Sequence, residues 1–185
     1  MFVRFAGCNL RCSFCDTDFS AFTEMSADDI VGRVLSFESR FVVLTGGEPT
    51  LQVDETLVER LHEHGCEVAM ESNGTLPAPA NLDWLTVSPK GRGLLLENIG
   101  TRQAIVRRPD ELKIVFDETT DPQALLDAMS DSLLTPGATP YLCLQPCDTG
   151  DAQRNKVIVA RCVDYIKHHP QWRLSLQTHK LIDIP

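Results

Sequence analysis

At 185 residues, with 43% hydrophobic and 23% charged residues, the chain has the size and composition of one globular domain with a substantial core. A formal net charge of −9 excludes a phosphate-driven grip on nucleic acid, which needs a basic face. No apolar run approaches a bilayer span and no signal peptide precedes the first strand, so no membrane attachment and a cytoplasmic location are expected.

In chain order, Phe2–Phe5 reads as a strand, followed by a loop holding Cys8, Cys12 and Cys15, where Gly7 and Asn9 favour a turn. Ser26 caps a helix with an acidic first turn at Asp28 and Asp29, running to about Phe37. Phe41–Leu44 is a buried strand ending in Thr45-Gly46-Gly47-Glu48-Pro49. A helix is expected from Asp54 to His64, with Leu57 and Leu61 as its apolar face and Gly65 as its stop. Cys66–Met70 is the next strand, ending in Glu71-Ser72-Asn73-Gly74; Asp83–Val87 follows, ending in Ser88-Pro89-Lys90. Gly91 to Pro109 reads as a loop or insertion. Then come a strand at Glu111–Phe116, a helix at Pro122–Ser130, a strand at Tyr141–Leu144, a helix at Ala152–His168 and a last strand at Trp172–Leu176.

Apolar strands alternating with amphipathic helices imply an α/β fold with a parallel sheet and right-handed crossovers. About six strands and three main helices are too few for a closed eightfold barrel, which takes ~250 residues. An open, partial parallel β/α barrel fits the length. Ligands in such folds sit at the C-terminal ends of the strands, and every unusual polar motif falls at that edge.

The cysteines follow C-x3-C-x2-C spacing. Three thiolates so close in sequence can hold three irons of a four-iron, four-sulfur cube and leave the fourth iron open for a chelating ligand. Zinc is the alternative, but a fourth ligand is hard to find: Cys66, His62 and His64 lie about fifty residues away. Packed thiols on one helix face are a third reading. Of the seven cysteines, an odd count that agrees with a reducing compartment, Cys66, Cys143, Cys147 and Cys162 read as structural. His62, His64, His168 and His169 read as solvated helix ends. The double glycine Gly46-Gly47 after a buried strand would let backbone approach a ligand.

The cysteine triplet and the Gly46-Gly47-Glu48-Pro49 turn together resemble radical S-adenosylmethionine enzymes. More narrowly, Cys15-Asp16-Thr17, Leu44 through Pro49, Glu71-Ser72-Asn73-Gly74-Thr75, Ser88-Pro89-Lys90, Leu144-Gln145-Pro146 and the ending Trp172 to Lys180 are similar to the 7-carboxy-7-deazaguanine synthases. The resemblance implies a single radical S-adenosylmethionine domain over 1–185, a homodimer, and conversion of 6-carboxy-5,6,7,8-tetrahydropterin to 7-carboxy-7-deazaguanine with loss of ammonia, towards queuosine. It implies a cluster on Cys8, Cys12 and Cys15 and an S-adenosylmethionine site lined by Phe14, Cys15, Asp16, Gly47, Ser88, Pro89, Lys90, Gln145, Pro146, Cys147 and Asp148. Mg2+ would sit at Thr17, and the pterin at Arg4, Thr45, Glu71, His179 and Pro185. A reducing protein such as a flavodoxin would supply electrons. The family's usual Gln-Gly-Glu-Gly turn ahead of the first strand is expected to be missing, because Met1 lies directly on that strand. Lys180 reads as surface. The rival readings are a glycyl-radical activase, which shares the cysteine spacing, and a non-enzymatic metal-binding module.

Overall fold

A computed structural model describes residues 1–90, 109–133 and 140–182. Residues 91–108 of the insertion expected from Gly91 to Pro109, and the C-terminal Pro185, lie outside the described residues. Seven strands form one sheet: β1 (Phe2–Phe5), β2 (Phe41–Gly46), β3 (Glu67–Ser72), β4 (Trp84–Val87), β5 (Glu111–Phe116), β6 (Tyr141–Pro146) and β7 (Trp172–Leu174). Their order in the sheet is their order in the chain, and every pairing is parallel. Each crossover therefore steps the sheet on by one strand in the same direction, as in a barrel, whereas a doubly wound sheet reverses. Among the described residues β1 and β7 do not pair, so the barrel is open.

The helices are α1 (Ala27–Leu35), α2 (Glu55–Glu63), α3 (Pro122–Leu133), α4 (Ala152–His168) and the four-residue α5 (Thr178–Leu181). The start of α1 is fixed by a capping box, in which Ser26 N–H donates to the Asp29 carboxylate at 2.9 Å while Asp29 N–H donates back to Ser26 Oγ at 3.2 Å. Asp54 caps α2 by accepting from Leu57 N–H at 2.9 Å. A 3-10 turn at Pro49–Leu51 joins β2 to α2.

The seven strands and four helices of nine residues or more are the segments read one by one from the sequence; only the summed expectation of about six strands and three main helices was low. Some bounds differ from those expected: β7 stops at Leu174, short of Leu176, whereas Thr45-Gly46 belongs to β2, Glu71-Ser72 to β3 and Gln145-Pro146 to β6. Polar residues there look like loop in a sequence, but the neighbouring ladder holds them extended.

Strand register sorts the side chains to two faces. Val42, Leu44, Val68, Met70, Leu112, Ile114, Leu144 and Trp172 are buried, forming the apolar core under α1, α2 and α4. The opposite, open face carries Arg4 beside Thr45, then Glu71 beside Thr86 and Glu111, and Lys113 beside Cys143 and Arg173. At the N-terminal edge of that face Trp84 stacks on Tyr141, 5.6 Å between ring centroids, and Arg173 lies over Tyr141 at 4.2 Å. This aromatic and cationic floor sits at the end of the sheet away from the strand termini that bear the polar motifs.

Candidate active site

The cysteine loop leaves β1 at Phe5 and is fastened at once to the end of β2. Gly47 N–H donates to the Phe5 carbonyl at 3.0 Å, and Glu48 N–H to the Gly7 carbonyl at 2.9 Å. The Gln52 side-chain amide donates to the Ala6 carbonyl at 2.6 Å. Such close approach requires the double glycine. A Cβ on Gly46, whose φ is +132°, would stand 2.1 Å from the Phe5 carbonyl oxygen, and one on Gly47 would stand 1.9 Å from that of Gly7. The sequence suggested that the glycines let backbone approach a ligand; the space their side chains would take is filled by the chain's own backbone.

Glu48 is fully buried. Its carboxylate accepts from Thr50 N–H (3.1 Å), Thr50 Oγ–H (2.6 Å), Ser72 Oγ–H (2.8 Å) and Asn73 N–H (2.7 Å). Four donors compensate a buried charge that would otherwise be very costly. The network continues into the cysteine loop. Asn73 Nδ2 donates to Asn9 Oδ1 at 3.0 Å, and Asn9 Nδ2 donates to Thr75 Oγ1 at 2.7 Å. Glu48 therefore does more than shape a turn: it ties the ends of β2 and β3 to the segment bearing Cys8. A charged residue directly after a buried apolar strand was the available signal.

Cys8 and Cys12 are half-buried and Cys15 is exposed; all three are free thiols. Cys15 N–H closes a turn on the Cys12 carbonyl at 3.1 Å. Cys8 Sγ accepts from Leu10 N–H at 3.4 Å and lies 3.9 Å from Asn73 Nδ2. Burial raises the Cys12 thiol, Lys90 opposes this, and Cys15 and Cys8 push it up further, so the three thiols lie within electrostatic reach of one another. Among the described residues no three His, Cys, Asp or Glu side chains are grouped to hold a single metal ion. Thiolates on separate irons of a cubane need not converge on one point, and an all-thiol donor set on one anchored loop fits such a cluster.

The other stations gather around this loop. Phe14 is partly exposed and Asp16 follows Cys15. Ser88 and Pro89 are buried beyond β4, and Lys90 Nζ donates to Ser88 Oγ at 2.8 Å. Burial together with nearby Lys113 lowers Lys90, against the opposing charges of Cys12, Glu71 and Cys15. At the end of β6, Gln145 and Pro146 are half-buried and Cys147 is buried. Burial, with Asp117 and Asp148 nearby, raises the Cys147 thiol. Asp148 is held well below the usual carboxylate range by Lys180, Gly150 N–H and Asn155.

Lys180 is exposed, as expected, but it is engaged. Its ammonium donates to Asp16 Oδ2 at 2.6 Å and to Asp148 Oδ2 at 2.8 Å, and Gln177 Nε2 adds a bond to Asp16 at 3.1 Å. Burial alone would raise Asp16, but the bonds from Lys180 and Gln177 outweigh it and its carboxyl is lowered. The partners lie 164 and 32 residues from Lys180 in sequence, so no local pattern announced them. His62, expected as solvated, pairs with Asp83 at 2.8 Å.

On the open face, Arg4 is exposed, Thr45 is buried and Glu71 is half-buried. Lys113 Nζ donates to Glu71 at 2.8 Å. Lys113, Glu111 and Arg173 were missed as site residues, although the alternation in Glu111-Leu112-Lys113-Ile114 was the signal for a polar face. Burial raises the Glu111 carboxyl, Lys113 opposes it and Glu71 adds to it. His179 is half-buried on α5. Thr17 is half-buried between Asp16, engaged by Lys180, and Asp18, which accepts from Ser20 N–H at 2.8 Å.

A one-directional parallel sheet with a three-cysteine loop at its C-terminal edge is the architecture of a radical S-adenosylmethionine enzyme. The profile of the Radical SAM superfamily matches residues 2–92. The chain is 43% identical over 184 residues to the 7-carboxy-7-deazaguanine synthase of Bacteroides thetaiotaomicron, covering 100% of this chain and 87% of the relative. It is 42% identical over 207 residues to that of Bradyrhizobium diazoefficiens, covering 100% and 89%. The crystal structure of QueE from Escherichia coli superposes with a TM-score of 0.67 at 26% identity, over 95% of this chain and 84% of that one. This chain belongs to the family of 7-carboxy-7-deazaguanine synthases. Membership implies a four-iron, four-sulfur cluster and S-adenosylmethionine, and the cysteine loop fits the first of these.

Proposed function

We propose that this chain is a carbon–nitrogen lyase converting 6-carboxy-5,6,7,8-tetrahydropterin to 7-carboxy-7-deazaguanine, with ring contraction and loss of ammonia. One observation carries the reading: Arg4, Thr45 and Glu71 share the open face of the sheet, immediately below a cysteine loop clamped to β2 and β3. When bound, the cluster and S-adenosylmethionine supply an organic radical that removes hydrogen from the substrate. The chain's own residues bind and orient. Arg4 offers a two-pronged hydrogen bond to the substrate carboxylate. Glu71 accepts from the donor-rich amino edge of the pterin, with Lys113 fixing its direction. Thr45 and His179 close the pterin site from β2 and α5, and the resemblance assigns Pro185 to the same substrate.

Phe14, Cys15, Asp16, Gly47, Ser88, Pro89, Lys90 and the run from Gln145 to Asp148 line the S-adenosylmethionine site. Thr17 is the Mg2+ position, with substrate oxygens and water completing the shell because one hydroxyl is a weak anchor. The single sheet running from Phe2 to Leu174 supports one domain over 1–185. A homodimer working in the cytoplasm with a flavodoxin-like reductant completes the reading.

The test is anaerobic reconstitution with iron and sulfide analysis, then incubation with the carboxylated pterin, reductant and S-adenosylmethionine. Mass detection of the deazaguanine product is expected. Zinc bound without sulfide, or a loaded cluster that leaves the pterin untouched, would overturn it.

A further inference from the structure

Among the described residues no strand pairing joins the two edges of the sheet, β1 and β7. At the C-terminal edge, side chains close that gap. The loop after β1 supplies Asp16, the loop after β6 supplies Asp148, and the segment after β7 supplies Gln177, just ahead of α5, and Lys180 on α5. We infer that Lys180 is a positioning residue that closes the mouth of the open barrel by bridging Asp16 to Asp148, and so holds the two walls of the S-adenosylmethionine site at their working separation. The inference rests on the functional reading above for the identity of that ligand, but not for the bridge itself.

The chemistry of the bridge is specific. Two carboxylates share one ammonium, each through a charge-assisted hydrogen bond, and without the cation they would face each other as like charges. Asp148 is further anchored through Oδ1, which accepts from Gly150 N–H at 3.0 Å and Asn155 Nδ2 at 2.8 Å, tying it to the first turn of α4. The α4 end of the bridge is thus rigid. The Asp16 end lies beside Cys15 in the cysteine loop, so the position of Lys180 determines where that loop stands relative to β6. Helix α5 has only four residues, with His179 among them. Such a short helix has little stability of its own and depends on the Lys180 anchor.

Magnitudes separate this role from a plain structural one. The Lys180, Asp16 and Asp148 side chains are 31%, 51% and 35% exposed, and exposed ion pairs contribute little to global stability. Removing the cation should therefore loosen the mouth without unfolding the sheet.

The test compares Lys180→Met, which keeps the aliphatic stem, with Lys180→Arg. In cluster-free protein, amide exchange at 177–181 and at Asp16 and Thr17 should accelerate at least about threefold in Lys180→Met, as expected for released local structure. In reconstituted protein, calorimetric S-adenosylmethionine affinity should fall about tenfold, the scale of one lost charge-assisted hydrogen bond. The KM for S-adenosylmethionine should rise with it, iron content should stay at the wild-type level, and Tm should move by no more than about 2 °C. Lys180→Arg should restore most of the affinity. Wild-type exchange and affinity in Lys180→Met would overturn the inference. Failure of Lys180→Met to fold, or a Tm loss above about 5 °C, would overturn it too, by assigning Lys180 to the fold. Wild-type protein that loads a cluster yet binds no S-adenosylmethionine would sink the functional reading instead, while exchange in the cluster-free protein would still test the bridge.

Discussion

Two adjacent residues, Gly47 and Glu48, hold the cysteine loop in different ways. Gly47 acts by having no side chain: the 1.9 Å separation between a built Cβ and the Gly7 carbonyl oxygen involves backbone, which has no rotamer by which to retreat. Gly47→Ala should therefore displace the loop and cut iron incorporation on reconstitution several-fold, while far-ultraviolet circular dichroism stays that of the wild type. Full loading of the alanine variant would show that the loop can shift without losing the cluster. Glu48 acts by accepting. Glu48→Ala leaves the buried donors of Ser72 and Asn73 without their acceptor and opens a cavity, at a cost of about 3 kcal/mol or more. Urea titration should show this loss, and Glu48→Gln should fall between the two because its amide can satisfy only part of the donor set.

At the scale of elements, much of the fold was legible because its signals are local. Ser26 with Asp29, and Asp54 with Leu57, are caps within one turn, and the bounds of α4 match those read from the sequence, with Asp151 accepting from Gln153 and Arg154 N–H. What was illegible is long-range. Lys180, Lys113 and the Asn9–Asn73 link acquire their meaning from partners dozens of residues away, which no window of sequence contains. Another such contact links the first turn of α4 to the turn after β5. Arg154 forks onto Glu118 at 2.8 and 2.9 Å, and this bidentate bond pushes the Glu118 carboxyl down to about 2. A depressed folded value means that the pair's contribution is fully present above the ordinary glutamate range and is lost as pH falls from there through about 2. A carboxyl carbon-13 titration should place the Glu118 midpoint near that value. A midpoint in the ordinary range would show that the fork does not persist in solution.

The molecule as a whole is one sheet with two unlike faces, and adjacent residues of β5 serve opposite ones. Ile114 is 2% exposed in the apolar core, whereas Lys113 points to the open face and pairs with Glu71. If the core face sets stability and the open face sets recognition, neighbouring substitutions should separate the two properties. Ile114→Ala should cost about 2–5 kcal/mol and lower Tm by several degrees or more, whatever ligand is present. Lys113→Met keeps the volume of the stem and leaves Glu71 without its ammonium, but the Glu71 side chain is 39% exposed, so water takes over much of that contact and the stability loss should be small. Its effect should fall on the substrate instead, because Glu71 loses the ammonium that directs its carboxylate. The KM for the carboxylated pterin should rise about tenfold while the affinity for S-adenosylmethionine and the iron content hold at wild-type values. A Lys113→Met enzyme with an unchanged pterin KM would remove Glu71 from the substrate site, and with it the division of labour between the faces.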